Sequence, residues 1–415
     1  MKVLLVGSGA REHALAWKLS QSPHLERLFL LPGNPGMEGL GDTIEGVGAT
    51  DVGAVAMVAA AQSIDLAVIG PEAPLAAGVA DALTRAGIPT FGPTRSAARL
   101  EASKSFAKEV MTTAGVPTAS ADAFTDPTLA HQHVGRSEGP YVVKADGLAA
   151  GKGVLVTTSR REAHAWIDKC FEGEFGAAGT VVVIEDFLDG PELSVFAICD
   201  GTRFLTLQPA RDYKRLGDAD SGPNTGGMGS FSPVELPSEL LPTVEREVIE
   251  PTIRFMAESG NPYVGFLYVG LALTDTGPKV IEYNCRLGDP ETQVVLPRMS
   301  TDLLPILAGA AAGSLGADTI EWRDDAAVNV VLAAAGYPES PRSGDVITGL
   351  DQVDDDVLVF HAGTRRDDGR VRTAGGRVLS VVGLGADLAV AREAAYAGVS
   401  QIRFEGVHYR TDIAE

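Results

Sequence analysis

Short apolar runs alternate with amphipathic stretches through the first hundred residues. Residues 3–6, 28–31 and 66–69 are apolar runs of strand length, whereas 12–20, 54–62, 75–85 and 95–100 have helical character. Strands alternating with helices at this interval predict a parallel sheet covered by helices on both faces. A helix over 103–114 ends at Gly115, a good C-cap residue, and Val116-Pro117 begins a new section. Two β-branched runs joined by a glycine-rich turn predict a hairpin over 141–158, and strands at 181–186, 193–197 and 204–208 extend a larger antiparallel or mixed sheet. Residues 216–234 are rich in glycine, serine and proline and poor in core-forming side chains, long enough for an active-site lid. A helix over 239–258, strands at 266–273 and 279–283 and a helix from Pro290 follow. From about residue 324 come strands at 327–334 and 357–361 and a helix over 387–398, with no internal repeat.

A chain of 415 residues, 45% hydrophobic and 21% charged, is ordinary for a globular protein of two to three domains. Its 34 Lys and Arg against 55 Asp and Glu leave a net charge of −21. That excess argues against nucleic acid or an anionic membrane as a partner, and an anionic substrate would need local positive charge. Cys170, Cys199 and Cys285 are distant from one another and lack metal-site spacing, as expected of buried thiols in a reducing compartment. The first residues form a strand rather than a secretory signal, and no apolar run is long enough to span a bilayer, so a cytoplasmic location is expected.

Three glycine turns follow successive strands of the first section: 7–12, 33–36 and 70–72. Turns at strand C-ends form one crevice in an open α/β sheet, where backbone N–H groups at a helix start can meet an anion. Glu12 stands where a dinucleotide fingerprint wants its third glycine, and the second strand ends without a ribose-binding acid, so a nicotinamide cofactor is disfavoured. A phosphorylated sugar fits better, with plain tight turns as the bland alternative.

The run 280–284 is an apolar strand that places Glu282 and Asn284 on one face, because side chains alternate along a strand. A carboxylate beside an amide oxygen suits a hard cation such as Mg2+, and Arg286 projects the same way with a fork for a carboxylate or phosphate. Solvated polar residues at a strand edge are the alternative, and Asp289 and Glu291 read equally well as capping residues. The segment 144–154 fails the Walker spacing, since three residues separate Gly147 from Gly151 and Gly153 replaces the metal-binding hydroxyl. A glycine-rich hairpin tip with Lys144 at its base can instead cover phosphates from above. Lys104 starts a helix, where a lysine opposes the helix dipole unless an anion is near. The stretch 185–192 places acids around a turn, and 212–215 feeds a glycine loop at 222–229 suited to closing over an intermediate that water must not reach.

Taken in order, Lys104, Lys144, the loop at 147–153, the acids from Glu185 to Glu192 and the Glu282/Asn284 pair resemble the ATP-grasp fold. GSGAREHAL at 7–15, GNPG at 33–36, GPE at 70–72, KADGLAAGKGV at 144–154, GPNTGGMG at 222–229 and NCRLGDPE at 284–291 are similar to the phosphoribosylamine–glycine ligase family over essentially the whole chain. The resemblance implies an N-terminal doubly wound parallel sheet (1–101), a central ATP-grasp fold (102–323) with a mobile lid subdomain at about 120–187, and a small C-terminal α+β domain (324–415). It implies ATP-dependent joining of glycine to 5-phosphoribosylamine through glycyl phosphate, giving glycinamide ribonucleotide, ADP and phosphate in purine synthesis. Glu282 and Asn284 would hold Mg2+ or Mn2+. Lys104, Lys144, Gly151, Lys152, Gly153, Glu185, Phe187, Leu188 and Glu192 would surround the nucleotide. Arg286 and Asp212, with Lys214, would orient glycine, and Gly9, Arg11, Glu12, Asn34, Gly36, Pro71 and Glu72 would line the ribose-phosphate site. Partners would be these small substrates, with transient contact to neighbouring enzymes of the pathway.

One departure stands out: the strand 266–273 carries no acidic or amide ligand for a second metal ion. The nearest rival is another ATP-grasp ligase of purine synthesis that uses formate or bicarbonate. A non-catalytic nucleotide-binding regulator is the remaining one.

Overall fold

The first hundred residues fold as five parallel strands in the order 42–43, 27–32, 2–7, 66–69, 90–91, as shown by a computed structural model describing residues 1–149 and 153–415. The central strand Lys2–Gly7 is buried from Val3 onward, which explains its unbroken apolar run. The expected helix over 75–85 is two helices, Glu72–Ala77 and Val79–Arg85, because Gly78 adopts a left-handed φ of 93°. Near 95–100 only a short helix forms, Arg99–Ala102.

Next, the strands Ala121–Phe124, Val182–Asp186, Tyr141–Ala145 and Val154–Thr157 form an antiparallel sheet in that order. The expected hairpin is its last pair. Two helices, Pro127–Arg136 and Arg160–Phe171, pack on this sheet around a small core of its own, including Val143, Ala163, Ile167 and Ile184. A second antiparallel sheet orders Phe204–Thr206, Glu192–Asp200, Val264–Thr274 and Gly277–Asn284. One apolar core runs from the N-terminal sheet (Val6, Ile69) into this one (Leu193, Leu267, Tyr283), so the two sections pack as a continuous interior.

The glycine-rich stretch expected as a lid is anchored instead. Arg215–Gly217 and Ser221–Asn224 pair as a hairpin. Gly229–Ser232 joins a five-stranded antiparallel sheet with Arg211–Asp212, Ala326–Ala333, Arg377–Gly385 and Leu358–His361. Thr411 donates from its backbone N–H (2.8 Å) and its hydroxyl (2.6 Å) to Asp218, and the buried Arg410 pairs with Asp220 at 2.8 Å. The C-terminal tail thus staples the hairpin down. Beyond Pro290 the helix begins late, at Thr292–Val295, with Glu291 rather than Asp289 at its N-cap position. Among the described residues no helix is long and apolar enough to cross a membrane.

Candidate active site

The strand Gly277–Asn284 turns Tyr283 toward the interior, where its hydroxyl meets Thr252 at 2.7 Å, and leaves Glu282 and Asn284 together on the other face. A register shift opposite Gly270 and Leu271 bulges Ile281 out of the ladder, and the Ile281 carbonyl accepts from Lys144 Nζ at 3.3 Å. Across the sheet, Gly270 stands beside Glu282, Tyr268 beside Asn284 and Ser194 beside Gly270. Gly270, on the strand that offers no acidic or amide ligand, carries no side chain beside Glu282. A Cβ there would lie 3.4 Å from Glu282 Cγ.

This face floors a cleft of about 500 Å³. Lys104 opens the helix Lys104–Ala114 behind its Ser103 cap and donates to the Gly147 carbonyl at 3.1 Å. Lys144 pairs with Glu185, which also binds Lys108 at 2.6 Å. Burial lowers the Lys104 pKa, while Glu282 pulls it the other way. Burial alone would raise the Glu282 pKa, but Lys214, Lys144 and Lys104 outweigh it and hold the carboxylate ionised. Asn284 Nδ2 donates to Glu282 Oε1 at 3.4 Å, and an ionised carboxylate with an amide oxygen turned beside it would suit a hard divalent cation. Among the described residues no group of three or more His, Cys, Asp or Glu side chains is placed to hold a metal, so a cation here needs further oxygens from a phosphate chain or water.

An acidic group closes one end. Glu192 pairs with Lys214, and Glu291 accepts from Ser194 Oγ at 3.1 Å, which lies 3.0 Å from the Tyr268 hydroxyl. Burial, reinforced by Asp212, pushes the Glu291 carboxyl up to about 7. Burial also raises Asp212, against the pull of Lys214. The other end is built by three sections of the chain. Arg286 binds Glu101 at 2.8 Å and Glu72 at 3.4 Å and donates to Asn284 Oδ1 at 3.2 Å. Glu101 also accepts the Cys285 N–H at 2.7 Å, and Arg11 reaches Glu72 at 3.9 Å. Burial would raise the Glu72 pKa, yet Arg11 and Arg286 hold it below the ordinary value.

Family models match the chain in three blocks, each described as phosphoribosylglycinamide synthetase: the N domain over residues 1–101, the ATP-grasp (A) domain over 102–292 and the C domain over 327–415. The chain belongs to this family. It is 51% identical to a phosphoribosylamine–glycine ligase of Caulobacter vibrioides, with 100% of this chain and 97% of that one covered. The crystal structure of a Thermotoga maritima phosphoribosylamine–glycine ligase superposes with a TM-score of 0.87 at 36% identity, covering 99% and 100% of the two chains. The biotin carboxylase domain of a Hydrogenobacter thermophilus 2-oxoglutarate carboxylase, crystallised with MgADP and bicarbonate, shares the fold at a TM-score of 0.72 and 18% identity, over 98% of this chain and 91% of that one.

Within this family frame, the cleft brings together Lys104, Lys144, Gly153, Glu185, Phe187, Leu188, Glu192, Asp212, Lys214, Glu282, Asn284, Arg286, Arg11 and Glu72. Gly151 and Lys152 lie outside the described residues. Gly9, Glu12, Asn34, Gly36 and Pro71 do not line it. Glu12 takes the Gly9 N–H at 2.7 Å, so the donor expected for a phosphate is occupied. Its stem also fills the space that glycine leaves at 7 and 70, where a Cβ would fall 2.3 and 2.4 Å from Glu12 Cγ. Asn34 accepts the Gly36 N–H at 2.9 Å and donates to the carbonyls of Ser8 and His361 at 2.8 Å each, tying the turn to the C-terminal sheet. A Cβ on Gly36 would strike the rings of His13 and His361 at 2.5 Å, so this glycine serves packing. Arg286 was expected opposite Asp212. Both line the cleft, with the Arg286 fork held by Glu101 and Glu72 and with Lys214, Glu192 and Glu282 as the charges acting on Asp212. Sequence reasoning missed Glu101, Tyr268 and Arg377. Their place in the cleft depends on partners far along the chain, and only the Arg286-to-Glu291 motif hinted at Glu291.

Proposed function

We propose that this chain joins glycine to 5-phosphoribosylamine in an ATP-dependent reaction, giving glycinamide ribonucleotide, ADP and phosphate, the step its family performs in purine synthesis. The observation that carries the reading is the single cleft running from the Glu282/Asn284 face, under Lys104 and Lys144, to Arg11 and Glu72 of the N-terminal sheet. Nucleotide chemistry and a sugar phosphate can thereby meet in one cleft. ATP and a divalent ion belong to the ATP-grasp assignment, and Mg2+, with Mn2+ as its oxygen-seeking equivalent, is our reading for Glu282 and Asn284. When bound, the ion supplies charge neutralisation to the phosphate chain.

The chain's own groups do the positioning. Lys104 and Lys144 face the phosphates, and Phe187, Leu188 and Glu192 border the nucleotide end. Phosphoryl transfer needs placement and charge compensation more than covalent help from the protein. The glycine carboxylate attacks the terminal phosphorus, a C–O–P linkage forms and ADP departs. The sugar amine then forms the C–N bond, the C–O bond to phosphate breaks, and the amine nitrogen releases a proton. Asp212 and Glu291 supply an acidic wall for the glycine ammonium, and Arg286, held by Glu101 and Glu72, lines the cleft as the cation for the carboxylate. Phosphate release from ATP with glycine and freshly made phosphoribosylamine tests this, each omitted in turn. Release is expected only with all three present. Release with formate or bicarbonate in place of glycine would overturn the assignment.

A further inference from the structure

The junction between the N-terminal turns and the ligation cleft contains a carboxylate that this reading leaves without a task. Asp289 Oδ1 accepts from Gln293 Nε2 at 2.8 Å. Its Oδ2 lies 3.5 Å from Arg377 Nη2 and 3.7 Å from where a side chain on Gly9 would begin, so it faces the first glycine turn across space that only glycine leaves open. Arg377, from the C-terminal strand, also donates to the carbonyls of Gly226 and Asp289 at 2.5 Å each. One guanidinium therefore fixes both the carboxylate's backbone and the glycine loop beside it. Burial would raise the Asp289 pKa, but Arg377 and Arg11 keep it below the ordinary value, so the group is an acceptor only.

A second observation points to a ligand at the same place. Arg11 Nε is buried and has no hydrogen-bond partner among the described residues, and its side chain lines the cleft with Asp289. A buried donor left unpaired is costly and calls for a partner. An unmet cationic donor and an acceptor-only carboxylate in one cleft complement a molecule that is both hydroxylated and anionic.

We propose that Asp289 binds a ribose hydroxyl of phosphoribosylamine through Oδ2, with Arg377 as the positioning residue that holds it. This inference rests on the ligase reading above. The test compares the wild-type chain with Asp289→Asn in three assays. Hydroxylamine, replacing the sugar amine, traps glycyl phosphate as the hydroxamate and reports the first half-reaction alone. Steady-state kinetics give KM for phosphoribosylamine. Competitive inhibition by ribose 5-phosphate, which has the hydroxyls and phosphate but no amine, isolates the sugar contact.

Loss of a charged hydrogen bond predicts that KM and the inhibition constant both rise about tenfold or more, while hydroxamate formation stays within about twofold. The conservative Arg377→Lys, which loses the fork, should raise the same two constants and leave KM for ATP unchanged. An unchanged KM in Asp289→Asn overturns the proposal. So does a raised KM with unchanged ribose 5-phosphate inhibition, which would assign Asp289 to the amine. A parallel fall in hydroxamate also overturns it, by placing Asp289 in the ligation centre. Wild-type protein that forms hydroxamate but no ribonucleotide would overturn the ligase reading itself.

Discussion

Replacing Glu282 by Gln separates a metal-holding carboxylate from one that merely balances nearby lysines. In the folded chain Glu282 stays ionised because Lys214, Lys144 and Lys104 outweigh the burial penalty. Glutamine keeps the shape and removes one negative charge from the face on which the phosphate chain is expected to lie. Two unit charges about 6 Å apart at an effective dielectric of about 20 interact by roughly 3 kcal/mol, or about a hundredfold in affinity. Metal-free ATP should therefore bind Glu282→Gln more tightly than wild type, by up to that factor. With saturating Mg2+ the order should reverse, and turnover should fall by at least about two orders of magnitude, since a bound metal's charge stabilisation is worth several kcal/mol. Calorimetric titration of ATP in chelator and then in Mg2+ reads both signs on one protein. Equal weakening in both conditions would show that Glu282 acts on the nucleotide without a metal.

Three further outcomes follow from the same geometry. Glu12→Gly restores a dinucleotide-type glycine pattern but empties the space between Gly7 and Gly70 and frees the partly buried Gly9 N–H, so thermal unfolding should register a loss of about 2–4 kcal/mol and titration should detect no NAD binding. Glu291 has a folded pKa of about 7 against an ordinary 4.5, so the folded state keeps a proton that the unfolded chain releases; its contribution is fully present below 4.5 and is lost as pH rises through 7. His13 and His361, lowered to about 3 and about 4, act oppositely, losing stability as pH falls below 6.5, so Glu291→Gln should remove only the first slope from a melting-temperature series, and an unchanged slope would refute the assignment. Arg286→Lys keeps the charge but cannot bridge Glu101, Glu72 and Asn284 together, so KM for glycine should rise well above any change in KM for ATP, and equal rises would place Arg286 on phosphate.

What was legible in the sequence is what local periodicity encodes. The alternation along 280–284 put Glu282 and Asn284 on one face, and the strand–helix rhythm of the first hundred residues specified a parallel sheet. Spacing alone could not say that Glu12, standing at the third-glycine position, turns back to occupy the Gly9 donor. Nor could it show that Gly36 sits between two histidine rings, one of them from the C-terminal strand Leu358–His361. The stretch 216–234 looked like a lid because it has almost no core-forming side chains. Its anchors are Asp218, Asp220 and the strand Gly229–Ser232, whose partners lie roughly a hundred to two hundred residues downstream. Residues such as Glu101 and Arg377 acquire meaning only when several sections of chain converge on one cleft.

The central claim is that glycine is activated on its carboxylate by ATP before the sugar amine attacks. Glycine carrying heavy oxygen in both carboxylate positions tests it most directly, with mass analysis of the phosphate and ribonucleotide released in a single turnover. Activation through glycyl phosphate predicts one heavy oxygen in the phosphate and one in the new amide. Phosphate free of label, formed together with the ribonucleotide, would contradict it.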